Sequence, residues 1–309
     1  MGGSLLAGVL TPGVVHACAC GCGVFDVATA SMFPNGSGGM AWVQYDYMDQ
    51  NENWNGYQPA SADDNGDKEV QTHFVTLGVQ YMFNQSWGAQ VEVPYDFRYF
   101  RGTDNNGDVT SYSWRQLGDI RIEGIYTGFF GDQSLGITFG LKLPTGPYNI
   151  DPTGDGSNPT GLVDRDTQIG TGSTDILLGG FYRANLDKNQ LWDWFAQGLF
   201  DAPTLTQAGY RPGFELDMAS GIDYKGISVG RVQITPLAQL IFSDRTHDNG
   251  SHADVSDSGY QRLFISPGLE IHIHPVNVYM DIEVPVLQHF TGNQLAAPVL
   301  YKLSLSYMF

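Results

Sequence analysis

The stretch YKLSLSYMF at 301–309 puts Tyr301, Leu303, Leu305, Tyr307 and Phe309 on one face of an extended strand, and Lys302, Ser304, Ser306 and Met308 on the other. Aromatics stand at both ends of the apolar face, with leucines between them. A soluble strand lying on a core shows the same alternation, so the reading depends on whether the chain repeats it. WGAQVEVPYDFRYF at 87–100 repeats it most clearly. Trp87, Ala89, Val91, Val93, Tyr95, Phe97 and Tyr99 make one continuous apolar face, opposite Gln90, Glu92, Asp96 and Arg98. A strand of that length is unusual in a soluble sandwich. Small aliphatics between terminal aromatics are the pattern of a strand crossing a membrane between two aromatic girdles.

Period-2 alternation predicts about twelve strands: 41–48, 71–83, 87–100, 119–130, 135–143, 175–184, 191–201, 214–224, 227–242, 261–274, 276–287 and 301–309. Long polar connections (49–68, 101–115, 145–173, 202–213, 243–260, 288–298) alternate with short turns (84–86, 131–133, 185–190, 225–226 and Pro275). An even strand count with connections in strict rotation is the layout of an all-β, transmembrane, antiparallel up-and-down barrel over residues 39–309. The last strand is then expected to pair with 39–48 and close it. Short turns and both termini would face the periplasm, and long loops the exterior.

Composition agrees. The chain is 42% hydrophobic with 39 Gly, 16 Tyr and 17 Phe. No run of 18 apolar residues exists, and mean hydropathy is −0.19. A strand exposing alternate residues to lipid gives such an average, whereas a spanning helix would not. The 15 Lys+Arg against 33 Asp+Glu give a net charge of −18, which excludes a nucleic-acid partner.

Residues 1–17 read as a signal peptide, with an apolar stretch at 5–15 and a cleavage site at Val15-His16-Ala17. Cys18, Cys20 and Cys22 follow within a Cys/Gly-rich segment, 18–38, that is a candidate plug for the lumen or its mouth. No disulfide framework is available. Three readings of the cysteines stay open: a lipid-modified terminus, a soft-metal site, and a contact for a protein partner.

The inward faces carry Glu92, Asp96, Arg98, Asp119, Arg121, Glu123, Lys142, Glu215, Asp217, Asp223, Arg262, Glu270, Asp281, Glu283 and Lys302. These candidate pore-lining residues are either a lumenal salt-bridge ladder or a polar conduit favouring cations. Twelve strands lie between the filled eight-strand barrel and the open sixteen-strand one, so a narrow or plugged pore is expected. Lys302, Ser304 and Ser306 form a weakly basic strip, beside which an open path is expected to run. Glu270, His272 and His274 share one face, with Asp281 expected opposite Glu270, and form a candidate metal site. The acidic runs 63–67, 104–108 and 151–156 fit calcium or ordinary turn chemistry. No other cofactor is implied. No exposed Ser and His pair appears on the apolar face of adjacent strands, so no enzyme is expected.

Two resemblances extend this reading. The terminal strand resembles the C-terminal signal of Gram-negative outer-membrane β-barrels, where a final Phe closes the last strand. That implies outer-membrane lipid and lipopolysaccharide as surroundings, and recognition of the strand by the barrel-assembly machinery. Within residues 75–185, Pro94, Gly118-Asp119, Leu143-Pro144-Thr145-Gly146 and the run from Gly170 to Asp175 resemble the phenol-degradation (MetA-pathway) "transporter" family. The resemblance implies passive passage of small, hydrophobic or aromatic solutes across the outer membrane. It fixes no substrate residue, and the cysteine segment departs from the pattern. The alternative is a non-conducting scaffold that docks a periplasmic or cell-surface partner through that segment.

Overall fold

A computed structural model of the chain describes residues 25, 27, 33–34, 36–103, 107–150, 163 and 165–309. Sixteen strand segments form one antiparallel sheet: β1 (Gly38–Gln50), β2 (Glu52–Gly56), β3 (Gln58–Pro59), β4 (Asp67–Met82), β5 (Trp87–Thr103), β6 (Val109–Leu117), β7 (Ile120–Tyr126), β8 (Leu135–Leu143), β9 (Ser173–Asn185), β10 (Trp192–Thr206), β11 (Glu215–Tyr224), β12 (Ile227–Val229), β13 (Val232–Arg245), β14 (Tyr260–Ile273), β15 (Val276–Ala296) and β16 (Leu300–Met308). They make a closed barrel of twelve staves, in which β6 and β7 share one stave.

The sheet closes where β16 meets β1, in the register Tyr301↔Tyr47 and Met308↔Met40. Gly39 N donates to Phe309 O (2.7 Å) and Phe309 N to Gly39 O (2.8 Å). No edge is then left unpaired between the first and last staves, as lipid requires. Burial alternates along β16, with Lys302, Ser304 and Ser306 inside and Tyr301, Leu303, Leu305 and Tyr307 outside. On the outer face Trp87 packs on Tyr126 (4.7 Å) and Trp192 on Tyr224 (4.8 Å) at the short-turn end. Tyr95 packs on Phe97 (5.3 Å) towards the long-loop end. The stretch from Trp87 to Phe97, at about 3.3 Å per residue and about 40° of tilt, spans roughly 25 Å.

The structure departs from the sequence reading in several places: besides the three that follow, the loop expected at 49–68 holds β2 and β3, and the strand expected over 119–130 ends at Tyr126. The ninth strand, expected to run unbroken over 227–242, is split at Gly230-Arg231, where Gly230 has φ 64° and β12 folds back on β13. The loop expected at 288–298 is mostly the upper end of β15, because β2 pairs with it through Gln294↔Trp54 and Ala296↔Glu52. The loop expected at 101–115 is shortened by the upper end of β5 and by β6, which pair over Thr103↔Val109 to Tyr95↔Leu117. In the last two cases pairing with a neighbouring strand overrides local turn chemistry, whereas at Gly230-Arg231 a tight turn breaks the expected strand.

Leu303 faces outward between two aromatic residues of β16. Leu303→Arg should cost about 2–4 kcal/mol in equilibrium unfolding from lipid vesicles, with a smaller loss for Leu303→Ala. Equal losses for the two would contradict a lipid-facing position.

Candidate functional site

The lumen is divided. One half holds a cavity of about 220 Å³, walled by inward residues of β1, β4, β5 and β7 to β10 and by Phe25, Phe33 and Pro34. The register builds its wall. Inward residues of β4 and β5 face each other as Phe74↔Asp96, Thr76↔Pro94 and Gly78↔Glu92. Glu92 is in turn opposite Arg121 on β7, and Gln90 opposite Glu123. Gly78 has a steric reason: the Trp42 indole lies across it, in the space a Cβ would occupy. Trp42 thereby reaches from β1 over β4 towards Glu92.

Six of the fifteen inward residues expected from the sequence border this cavity: Glu92, Asp96, Asp119, Arg121, Glu123 and Lys142. Lys142 is matched by two carboxylates, Asp175 (2.5 Å) and Asp201 (2.6 Å). Arg98 is 7% exposed and turns to Thr72 Oγ1 (3.0 Å) and to the carbonyls of Thr167 (2.6 Å) and Gln168 (3.2 Å).

The other half of the lumen is packed. Arg262, Glu283 and Lys302 are at most 2% exposed. The Arg262 guanidinium stacks on Tyr260 (4.1 Å), and Lys302 pairs with Glu283 (3.8 Å). Asp281 Oδ2 accepts from Tyr279 OH (2.7 Å), Ser266 Oγ (2.9 Å) and Gln239 Nε2 (3.0 Å). Glu215 accepts from Tyr260 OH (2.6 Å). Asp217 is buried, and Asp223 lies at the short-turn end opposite Asp193, which pairs with Lys225. The expectation that an open path runs beside β16 is therefore corrected: the cavity touches no residue of β16, and Lys302, Ser304 and Ser306 are buried.

The chain's own start runs along the cavity wall and reaches the packed half. Gly36 N donates to Gln133 Oε1 at the short-turn end. Phe33 stacks on Phe181 (4.5 Å), and Arg183 donates to Pro34 O (3.2 Å). Further in, Lys302 Nζ donates to the carbonyls of Phe25 (3.1 Å) and Val27 (2.7 Å), and Gln44 Nε2 to that of Phe25 (3.3 Å). Phe25 and Val27 pack with Met48, Phe74, Phe264 and Leu300 in an apolar cluster inside the barrel.

The proposed metal ligands are not gathered. Glu270 pairs with Tyr279 and Asp281 with Gly268, so Asp281 is not opposite Glu270. His272 and His274 stand 6.3 Å apart between ring centres, and among the described residues no three His, Cys, Asp or Glu side chains form a metal-holding group. The 63–67 run makes a capped turn. Ser61 accepts from Asp63 N (3.3 Å), and Asn65 Oδ1 from Asp67 N (2.9 Å). Cys18, Cys20 and Cys22, residues 104–106 and the run 151–156 lie outside the described residues.

Sequence reading missed Trp42 and Phe74, two inward aromatics. The available signal was Trp42 sharing the even-numbered face of β1 with Gln44 and Asp46. It also missed a knot beside the cavity, into which the residues that carried the family resemblance converge. Asp119 accepts from Gly146 N (2.9 Å), Thr171 N (2.8 Å) and Thr171 Oγ1 (2.6 Å). Thr145 Oγ1 donates to Gly118 O (2.9 Å) and accepts from Ile120 N (2.9 Å), while Gly118 N bonds Pro94 O (2.9 Å). Gly146 and Gly170 touch so closely that a Cβ on either would meet the other's backbone. The long loop after β8 is thus pinned at both ends to the break between β6 and β7. Arg165 of the same loop lies over Tyr148 (4.2 Å) and Tyr210 (4.9 Å). Burial and the Asp248 carboxylate push the Tyr210 phenol well above its ordinary pKa, which keeps it a donor to Asp248 (2.6 Å).

No protein-family model matches the sequence, and no curated protein does. In structure the chain is similar to an outer membrane channel from Pseudomonas putida F1, with a TM-score of 0.63 at 12% identity over 92% of this chain and 100% of that one. It is also similar to the β-domain of the Bordetella autotransporter BrkA, with a TM-score of 0.53 at 14% identity over 88% of this chain and 100% of that one. At such identities the likeness is one of fold. The chain has the outer-membrane β-barrel fold.

Removing the Asp119 acceptor takes the partner from one buried and two part-buried donors, and a buried one costs about 1–3 kcal/mol when unsatisfied. Asp119→Ala should release the 145–172 loop and make it a preferred cleavage site in limited proteolysis, while the barrel stays sheet-rich by circular dichroism. Unchanged protease resistance would show that the knot does not hold the loop.

Proposed function

We propose that this chain is a passive channel of the outer membrane for small solutes, narrowed by its own N-terminal residues. The carrying observation is the hollow, charge-lined half of the lumen in a closed barrel, with Phe25 and Val27 held beside it by Lys302. The charged wall supports cation preference. Lys142 is balanced by Asp175 and Asp201, which leaves Arg121 facing Asp46, Glu92, Asp96, Asp119 and Glu123 around the cavity. The fold shared with the Pseudomonas channel supports transport over catalysis. Membrane lipid and lipopolysaccharide would cover the apolar outer face, and the β16 strand would be read by the barrel-assembly machinery. Calcium at the acidic loops and a partner at the cysteine segment are not needed for this reading.

Planar-bilayer recording tests it. The full chain should give a small, cation-selective conductance under a salt gradient. Removing residues 1–37, which leaves every strand intact, should raise that conductance severalfold. A folded barrel that conducts in neither form would end the channel reading and favour the docking scaffold.

A further inference from the structure

Asp96 is one of several lumenal carboxylates, with Asp46 and Glu123 on the same cavity, that keep a buried oxygen without a hydrogen bond. It is 6% exposed, and its Oδ1 has no hydrogen-bond partner among the described residues. Arg98, Asp119 and Arg121 act on it through space, but none of them hydrogen-bonds that oxygen. Arg98 is turned to Thr72 and the carbonyls of Thr167 and Gln168. Arg121 is the cross-strand neighbour of Glu92, and the Asp119 oxygens are filled by Gly146 and Thr171. A buried carboxylate oxygen without a donor is costly, so its environment favours an incoming donor, above all a charged one.

The surroundings say what kind of molecule carries that donor. Phe74 is the direct cross-strand partner of Asp96. Trp42 lies across Gly78, whose partner is Glu92. Two aromatic rings therefore sit beside two carboxylates on one wall of the cavity, with Thr76 and Pro94 between them. Aromatic faces attract cations, and their area also takes an apolar body. The cavity of about 220 Å³ exceeds the roughly 150 Å³ that suffices for benzene, so it has room for a substituted ring. An anion would meet Glu92 and Asp96. A neutral ring would leave Asp96 without a donor.

We propose that this corner of the lumen is a binding site for a small organic cation, an aryl- or alkylammonium, with its ammonium on Asp96 and its body against Trp42 and Phe74. The proposal names a solute class for the channel and rests on that reading of the lumen, but binding can be measured without conduction.

The full-length protein in detergent is titrated by calorimetry with benzylamine, an ammonium at neutral pH, and with benzyl alcohol and benzoate. Saturable binding of benzylamine to one site is expected, with benzyl alcohol and benzoate at least tenfold weaker. Asp96→Asn, which keeps the side-chain volume, should weaken benzylamine at least tenfold and bring it level with benzyl alcohol. Phe74→Leu should weaken it by a smaller factor. No saturable benzylamine binding, or benzyl alcohol binding as tightly, overturns the site on the unaltered protein alone, whether or not the variants fold. An unchanged affinity in folded Asp96→Asn overturns it too. Conductance without benzylamine binding removes this site and keeps the channel. Binding without conductance keeps the site and removes the channel.

Discussion

The pair of backbone hydrogen bonds between Gly39 and Phe309 stands for the constraint on which the molecule depends. In lipid, an N–H or C=O without a partner costs several kcal/mol, so a sheet that crosses the membrane must have no edge. Once β16 pairs with β1, each stave has two neighbours and every second residue is committed to lipid. The alternate residues must then live in a lumen only twelve staves wide. The polar faces of the strands are thus an obligation of closure before they are a functional device.

The lumen meets that obligation in two ways. Around β11 and β13 to β16, polar groups engage one another and the chain's own start: Asp281 Oδ2 takes three donors, and Lys302 donates to Phe25 and Val27 and forms an ion pair with Glu283. Buried ion pairs of this kind add little net stability, because desolvation offsets the attraction. They make one arrangement strongly preferred, since removing one partner leaves the other charge stranded. Around β5, β7 and β8 the same kinds of residue border empty space. A chain that fills one half of its lumen and leaves the other hollow has put its solvent, or its solute, on one side.

Much of the barrel was legible because two periods coincided. Alternation within strands gave the faces, and alternation of connection length gave the topology. Each expected strand has a counterpart, and 301–309 closes on 39–48. What stayed hidden depended on pairing between segments far apart in sequence. Nothing local at 288–298 announces a strand, and the pairing of Gln294–Ala296 with β2 is what extends β15 past the irregularity at 291–293. The same holds for the cavity. Charged lining residues are visible from alternation, but which of them border open space depends on where Phe25 and Val27 pack. Trp42 was hidden for the opposite reason: aromatic residues were assigned to the lipid face, and only the small Gly78 opposite it shows that an indole fits inside.

The residues that carried the family resemblance argue for a division of labour. Pro94, Gly118, Asp119 and Thr171 border the cavity, but they and Thr145, Gly146 and Gly170 make their polar contacts mainly with one another. They lock the long loop after β8 to the place where β6 gives way to β7, immediately beside the cavity. Pro94 cannot donate to a neighbouring strand, and Asp119 spends its carboxylate on the loop, so the regular ladder is interrupted at one height on this wall. A break there would admit water to the bilayer unless something sealed it, and the knot seals it with hydrogen bonds. Such residues constrain the frame, whereas Trp42, Phe74 and Asp96 lie outside the knot or, like Asp96, take no part in its bonds. The lock therefore places no demand on the aromatic and carboxylate positions beside it.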